Sequence, residues 1–238
     1  SGGCIRLSTE DAKKVFAFAD RGTDVFVYDS KQTPRVSSLV LDMLPPPVVS
    51  ASSYLVADID TGDVLLERDA KTVRPIASVT KLVTALVANE IIMFDKEITV
   101  SSVELIRKPA STTPVVSAQF PVGDLLYPLL MESNNLVAAS LAKYYGTPGF
   151  IGWMNATARS LNMTSTGFAD ASGISPEDKS TTEDLYRLAV YLSNKKSFVW
   201  NISRTPTKTL TARSGTAYTF NNFNVYSDVP SFVGGKVG

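Results

Sequence analysis

From Ser53 onward the apolar and polar positions fall into blocks of different period. Tyr54-Leu55-Val56-Ala57-Asp58-Ile59-Asp60 reads as a strand, Thr61-Gly62-Asp63 carries turn chemistry, and Val64-Leu65-Leu66-Glu67 runs back, which predicts a β-hairpin. A helix is expected from about Ser78 to Ile92, with Pro75 just ahead of it as a start signal. Its apolar stretch, Leu82 to Phe94, is broken by Thr84, Asn89 and Glu90 and falls short of the ~20 residues that span a bilayer, so it reads as a buried helix. Helical spacing follows at about Val122 to Met131, Asn135 to Tyr145, Pro148 to Leu161 and Thr182 to Lys195, joined by loops of Gly, Pro, Ser and Asn. Strand character returns at Thr207 to Ala212 and at Ser231 to Lys236. A hairpin, a helical middle and returning strands predict an α/β protein of the α+β kind, an antiparallel sheet whose halves are separated by an inserted helical region.

The chain before this block has a different character. Thr9 to Asp20 has helical spacing and Asp24 to Asp29 alternates like a strand, while Pro45-Pro46-Pro47 forces an extended stretch. The main boundary is therefore expected near residue 48, with residues 1–48 an N-terminal extension or small module and 49–238 the principal domain. Ser1-Gly2-Gly3 shows neither the charged nor the apolar region of an export signal, so such a signal is expected to have been removed or never present.

Composition narrows the chemistry. Lys and Arg number 23 and Asp and Glu 23, which leaves no net field to hold nucleic acid or an anionic membrane surface. A small neutral or zwitterionic ligand fits better, and membrane association is expected only through segments not present in this chain. The single cysteine, Cys4, allows neither an internal disulfide nor a CxxC metal site, and does not decide the compartment. Most informative is the absence of histidine. It excludes Ser-His-Asp and Cys-His catalysis and His-ligated zinc, leaving lysine or carboxylate as the base near neutral pH; no metal or cofactor is expected.

Ser78-Val79-Thr80-Lys81 places a hydroxyl and an amine three residues apart, on one face of a helix, a spacing that suits a nucleophile and its base. Ser140 with Lys143 and Ser193 with Lys196 share the spacing, and are read as a solvated polar stripe and a helix end where lysine meets the negative dipole. Ser78 stands apart because it follows Pro75-Ile76-Ala77 at an expected helix start, where it reads either as a nucleophile or as an N-cap. A lysine base must be neutral, so its pKa has to fall from ~10.4 toward ~7 to 8, at a cost of roughly 3 to 5 kcal/mol. The apolar run after Lys81 makes burial the natural source, helped by a second cation. Ser133-Asn134-Asn135 offers another hydroxyl and an amide between two apolar helices, and Lys236-Val237-Gly238 closes the last strand-like run. Taken singly, each also fits a turn, a cap or an edge-strand lysine, and Ser160-Leu161-Asn162 repeats the Ser-x-Asn pattern.

In order, Ser-x-x-Lys after a hairpin, Ser-x-Asn between helices and Lys-x-Gly on a late strand resembles the penicillin-binding proteins and serine β-lactamases. Within that group, the chain from about Ser50 onward resembles the low-molecular-mass D-alanyl-D-alanine carboxypeptidases. The segments Ala57 to Gly62, Met154-Asn155 through Leu161, Thr166-Gly167-Phe168, Ser172-Gly173 and Ser180-Thr181-Thr182 leading to Asp184-Leu185 share the likeness. The resemblance implies that Ser78 attacks the carbonyl between the two D-alanines of a peptidoglycan stem peptide, giving an acyl-enzyme that water hydrolyses, with β-lactam antibiotics as covalent inhibitors. It further implies that Lys81 takes the Ser78 proton, Ser133 relays a proton to the leaving D-alanine, Asn135 orients Lys81 and the substrate amide, and Lys236 keeps the site positive. Val237 and Gly238 would line the substrate, and the place of action would be the periplasm or cell surface.

Two features depart from the family pattern. Val237 stands where the family has Thr, so the hydroxyl expected to bind the substrate's terminal carboxylate is missing. The chain also stops at Gly238, where the family adds strands and a final helix, which leads us to expect a fragment or cleaved form. One rival is a β-lactamase using a glutamate to activate water, but in the corresponding region Glu177 and Glu183 lie in Ser/Thr-rich surroundings that read as a loop and a helix start; another is a non-catalytic cell-wall binding protein on the same scaffold.

Overall fold

The computed structural model describes residues 48–100 and 118–238, together with Ser8, Glu10 and Lys13. Glu10 and Lys13 are helical, as expected within Thr9 to Asp20. The remainder of that helix, the Asp24 to Asp29 strand and the triple proline lie outside the described residues. Of two compact units, Ser1–Thr33 and Pro34–Gly238, the second contains everything discussed below.

In chain order its described elements are β1 (Tyr54–Ala57), β2 (Val64–Arg68), β3 (Arg74–Pro75), a 3-10 turn (Ala77–Thr80), α1 (Lys81–Ile91), β4 (Glu97–Thr99) and β5 (Gln119–Pro121). There follow α2 (Val122–Met131), α3 (Asn135–Tyr145), α4 (Thr147–Ser160), β6 (Lys179–Ser180), α5 (Thr182–Lys195), α6 (Phe198–Ser203), β7 (Thr207–Thr211) and β8 (Ala217–Asn221). All pairing is antiparallel, β1 with β2, β3 with β6, β4 with β5 and β7 with β8, so the strands form two-stranded ladders around a helical middle. The mixed architecture expected from the sequence is therefore present.

The first hairpin forms where expected, because Asp58 Oδ1 accepts the backbone N–H groups of Asp60 at 2.8 Å and Thr61 at 2.9 Å while Gly62 takes φ +79°. In the middle of the chain, α1 is buried from Lys81 to Ala88 and packs with Leu125, Leu126, Leu129, Val137, Leu141 and Met154 in one core. At roughly 1.5–3 kcal/mol per fully buried large apolar side chain, this contact outweighs what propensity alone gives an eleven-residue helix. α3 begins with Asn134, whose side chain accepts from Val137 N at 3.1 Å, and α5 begins with Thr181 accepting from Asp184 N at 3.1 Å.

Three expectations are corrected. Pro75 does not head a helix: it sits in β3, pairing with Lys179, and the helix opens with the 3-10 turn instead. β3 to β6, α6 and β8 were not expected: the four strands of two or three residues and the six-residue helix are too short to carry a period, whereas β8 does alternate, Tyr218 and Phe220 against Ala217, Thr219 and Asn221, and its signal was missed. Residues 231–236 form no strand. Gly234 adopts φ +152°, and the Gly235 N–H donates to Ser203 Oγ at 3.1 Å rather than to a neighbouring strand.

Candidate active site

Ser78 lies within the 3-10 turn and Lys81 opens α1. The Lys81 ammonium donates to Ser78 Oγ at 3.0 Å, and its side chain is 0% exposed. Ser78 does not cap the helix: the N-cap positions are Ile76 for the 3-10 turn and Thr80 for α1, neither with a side-chain cap bond. Its hydroxyl is thus available to the amine. Burial pushes the Lys81 pKa down from 10.5 to about 8, against the opposing pull of the Asp170 and Asp178 charges. Deprotonation would reverse the contact, with the amine lone pair accepting the Ser78 O–H.

The loop between α4 and α5 supplies the other side of this pair. Lys81 Nζ donates to the Ser172 carbonyl at 2.5 Å, Thr84 Oγ1 to the Ala171 carbonyl at 2.6 Å, and Thr80 Oγ1 to Asp178 Oδ2 at 3.0 Å. Three polar residues of a buried helix start are satisfied by one loop. The loop is held in shape by Asp170, which accepts from Ser172 N, Gly173 N and Ser175 N at 2.6 to 2.7 Å. Burial acts to raise the Asp170 pKa, yet these bonds together hold it below the usual carboxylate value; at Asp178 burial wins and the value is raised. Gly173, at φ +80°, comes so close to the turn that a Cβ there would lie 1.8 Å from the Ala77 carbonyl oxygen. Ala77 itself is bent into the left-handed region at φ +46°, immediately before Ser78.

Ser133 is brought to the site from the end of α2, also in the left-handed region, at φ +59°. Pro128 shapes that end, its carbonyl accepting both Glu132 N and Asn134 N. Lys236 Nζ donates to Ser133 Oγ at 2.8 Å and to the Val237 carbonyl at 2.6 Å. Burial, and then the charge of Lys81, lower the Lys236 pKa from 10.5 to about 7, which places the two amines within electrostatic reach of each other. Gly238 packs on the turn that carries Ser78, where a Cβ would come within 3.1 Å of Val79 Cγ2. Val237 is 38% exposed and offers only its isopropyl group. Asn135, at the start of α3, is buried, and among the described residues its Oδ1 has no hydrogen-bond partner, so the contact to Lys81 that the resemblance implies is not made.

The competing motifs come apart. Ser140 is buried while Lys143 is exposed, so the expected solvated stripe is half wrong; Ser193 accepts from Trp200 Nε1 at 3.0 Å and Lys196 pairs with Glu90 at 3.1 Å. Glu177 and Glu183, read as loop and helix-start residues, are engaged elsewhere: Glu177 pairs with Lys179 at 2.8 Å and Glu183 with Arg187 at 2.7 Å. Sequence reading missed Asp170 and Asp178. The available signal was Thr80 and Thr84 on an apolar helix, since buried hydroxyls require partners.

Hairpin, helical middle and late hairpin, with the Lys236–Gly238 segment meeting both Ser133 and the Ser78 turn, make up the scaffold of the penicillin-binding DD-peptidases. It is similar to the crystal structure of D-alanyl-D-alanine carboxypeptidase from Mycobacterium tuberculosis, with a TM-score of 0.73, 26% identity, and coverage of 83% of this chain and 76% of that one. It is also similar to penicillin-binding protein D2 from Listeria monocytogenes in its ampicillin-bound form, with a TM-score of 0.66, 28% identity, and coverage of 78% and 77%. Residues 42–238 match the D-alanyl-D-alanine carboxypeptidase family, and the chain belongs to it. Among curated relatives, the D-alanyl-D-alanine endopeptidase of Pseudomonas aeruginosa is 37% identical over 169 residues, 69% of this chain and 54% of that protein. The chain spans 54% to 61% of the length of the curated endopeptidases it matches.

Proposed function

We propose that residues 49–238 form the catalytic core of a serine DD-peptidase that removes the terminal D-alanine from peptidoglycan stem peptides through an acyl-enzyme on Ser78. The observation that carries this reading is the fully buried Lys81 amine, 3.0 Å from the Ser78 hydroxyl in a chain without histidine. Neutral Lys81 takes the Ser78 proton as Oγ bonds to the carbonyl carbon. The C–N bond then breaks, and the departing amine gains a proton through the Ser133 hydroxyl, which Lys236 polarises from 2.8 Å. Water attacks the resulting ester and frees Ser78. Lys236 holds developing negative charge, and the Ser78 backbone N–H, at the head of the turn, serves as an oxyanion donor. The unpartnered Asn135 Oδ1 is read as an acceptor for the substrate amide rather than as a group orienting Lys81.

A β-lactam would acylate Ser78 in the same way, a reading supported by the family's ampicillin-bound structure. Placement outside the cytoplasm follows from the substrate; among the described residues no helix is long and apolar enough to cross a membrane. A second reading, cleavage of cross-links between stems, is favoured by the relatives named as endopeptidases and by Val237, which offers no hydroxyl to a terminal carboxylate.

The deciding experiment is covalent labelling by a fluorescent penicillin, expected in the wild type and lost in Ser78→Ala. Label retained in Ser78→Ala would refute the assignment, and no label in either protein would favour the non-catalytic binding alternative. Mass spectrometry of digested muropeptides then separates loss of one D-alanine from conversion of dimers to monomers.

A further inference from the structure

We propose that Asp178 is a positioning residue for acylation: its carboxylate and backbone carbonyl tie the turn that carries Ser78 to the loop that holds Lys81, and its charge acts on Lys81 together with that of Asp170. This rests on the serine-acylation reading above.

Asp178 is 0% exposed, and both ends of the residue grip the turn. Its Oδ2 accepts from Thr80 Oγ1 at 3.0 Å, and its backbone carbonyl accepts from Ile76 N at 2.9 Å. Its Oδ1 accepts from Ala169 N at 2.7 Å and Asp170 N at 3.1 Å, at the start of the loop whose Ser172 carbonyl receives the Lys81 amine. The neighbouring carboxylate does something different. Among the described residues Asp170 accepts only from residues 172 to 175 of its own loop and so folds that loop upon itself. Asp178 alone of the two bonds to the turn, through the residue next to Lys81 in sequence.

A buried anion beside a buried amine acts through charge as well as through hydrogen bonds. The charged groups facing Lys81 are Asp170 and Asp178, which favour its protonated form, and Lys236, which is repelled by it. Asp178 in turn faces Asp170, whose charge raises its pKa. Removing the Asp178 charge therefore makes Lys81 neutral at lower pH, while leaving Ser78 and Lys81 in place.

The test is the rate of labelling by a fluorescent penicillin across about pH 5 to 10. Asp178→Asn keeps the size of the side chain and an acceptor for the loop N–H groups, and its rate optimum is expected at lower pH than that of the wild type. Thr80→Val cuts the tie and is expected to slow labelling about tenfold, with Thr80→Ser restoring it. An unmoved optimum in folded Asp178→Asn overturns the inference while leaving the Ser78 assignment intact. Should Asp178→Asn fail to fold, the Thr80 pair decides: a Thr80→Val protein that labels as fast as the wild type overturns it. Absence of label in the wild type itself removes the Ser78 reading, and this inference with it.

Discussion

Two amines lie close together in this site, and both hold their protons less tightly than a lysine in water. In the proposed mechanism Lys81 works neutral and Lys236 works charged, yet burial lowers Lys81 to about 8 and Lys236 to about 7. The productive combination is therefore a minority protonation state near neutral pH. Acylation should follow a bell-shaped pH profile with limbs near 7 and 8, the limbs belonging to the pair rather than to either residue. A labelling rate still climbing above pH ~9 would show that Lys236 need not carry charge. At this scale the residue types were legible in the sequence, because a serine and a lysine three apart in a histidine-free chain restrict the chemistry severely. Asp178 was not legible: an acid in a Ser- and Gly-rich loop looks like solvated surface until its burial is known.

The short 3-10 turn carrying Ser78 keeps its shape because a glycine 95 positions beyond it leaves room for the Ala77 carbonyl, the two residues being Gly173 and Ser78. Gly173→Ala must therefore displace the turn as well as strain its own φ of +80°, and should destabilise the protein by about 2–4 kcal/mol and slow labelling at least tenfold. Gly62→Ala offers the control. It has nearly the same φ, +79°, but the nearest contact is Tyr186 Oη at 3.8 Å, so it should cost only about 1 kcal/mol and leave the labelling rate unchanged. Urea unfolding of the two variants alongside the wild type checks the comparison. Long helices with clear periodicity, such as Thr182–Lys195, were legible to the residue. The segment before Gly238 was not, since two glycines and a hydrogen bond to Ser203, 32 residues away, override its alternating pattern.

For the molecule as a whole, the two shielded amines set a pH dependence of stability opposite in sign to that of a lysine whose pKa an ion pair raises. Lys81 and Lys236 give up protons at lower pH in the folded chain than in the unfolded one, so from about pH 7 to 10.5 the unfolded state binds more protons and stability rises with pH. Below that range the penalty is present in full, on the order of 3 kcal/mol for Lys81 alone. Urea unfolding should show the wild type gaining stability between about pH 7.5 and 9.5, and Lys81→Met should lose much of that gain. A wild type that weakens steadily over the range would contradict the burial argument. From sequence alone came the alternation of hairpin and helices, the order of the three motifs and the exclusion of imidazole chemistry, all of which depend on local spacing and residue type. Folding alone buried Lys81, placed the closing Lys-x-Gly beside the first motif without a strand, and set the buried Asp178 and the half-buried Asp170 near Lys81. Such choices depend on which distant segments meet and what water they exclude, and local spacing carries no record of either.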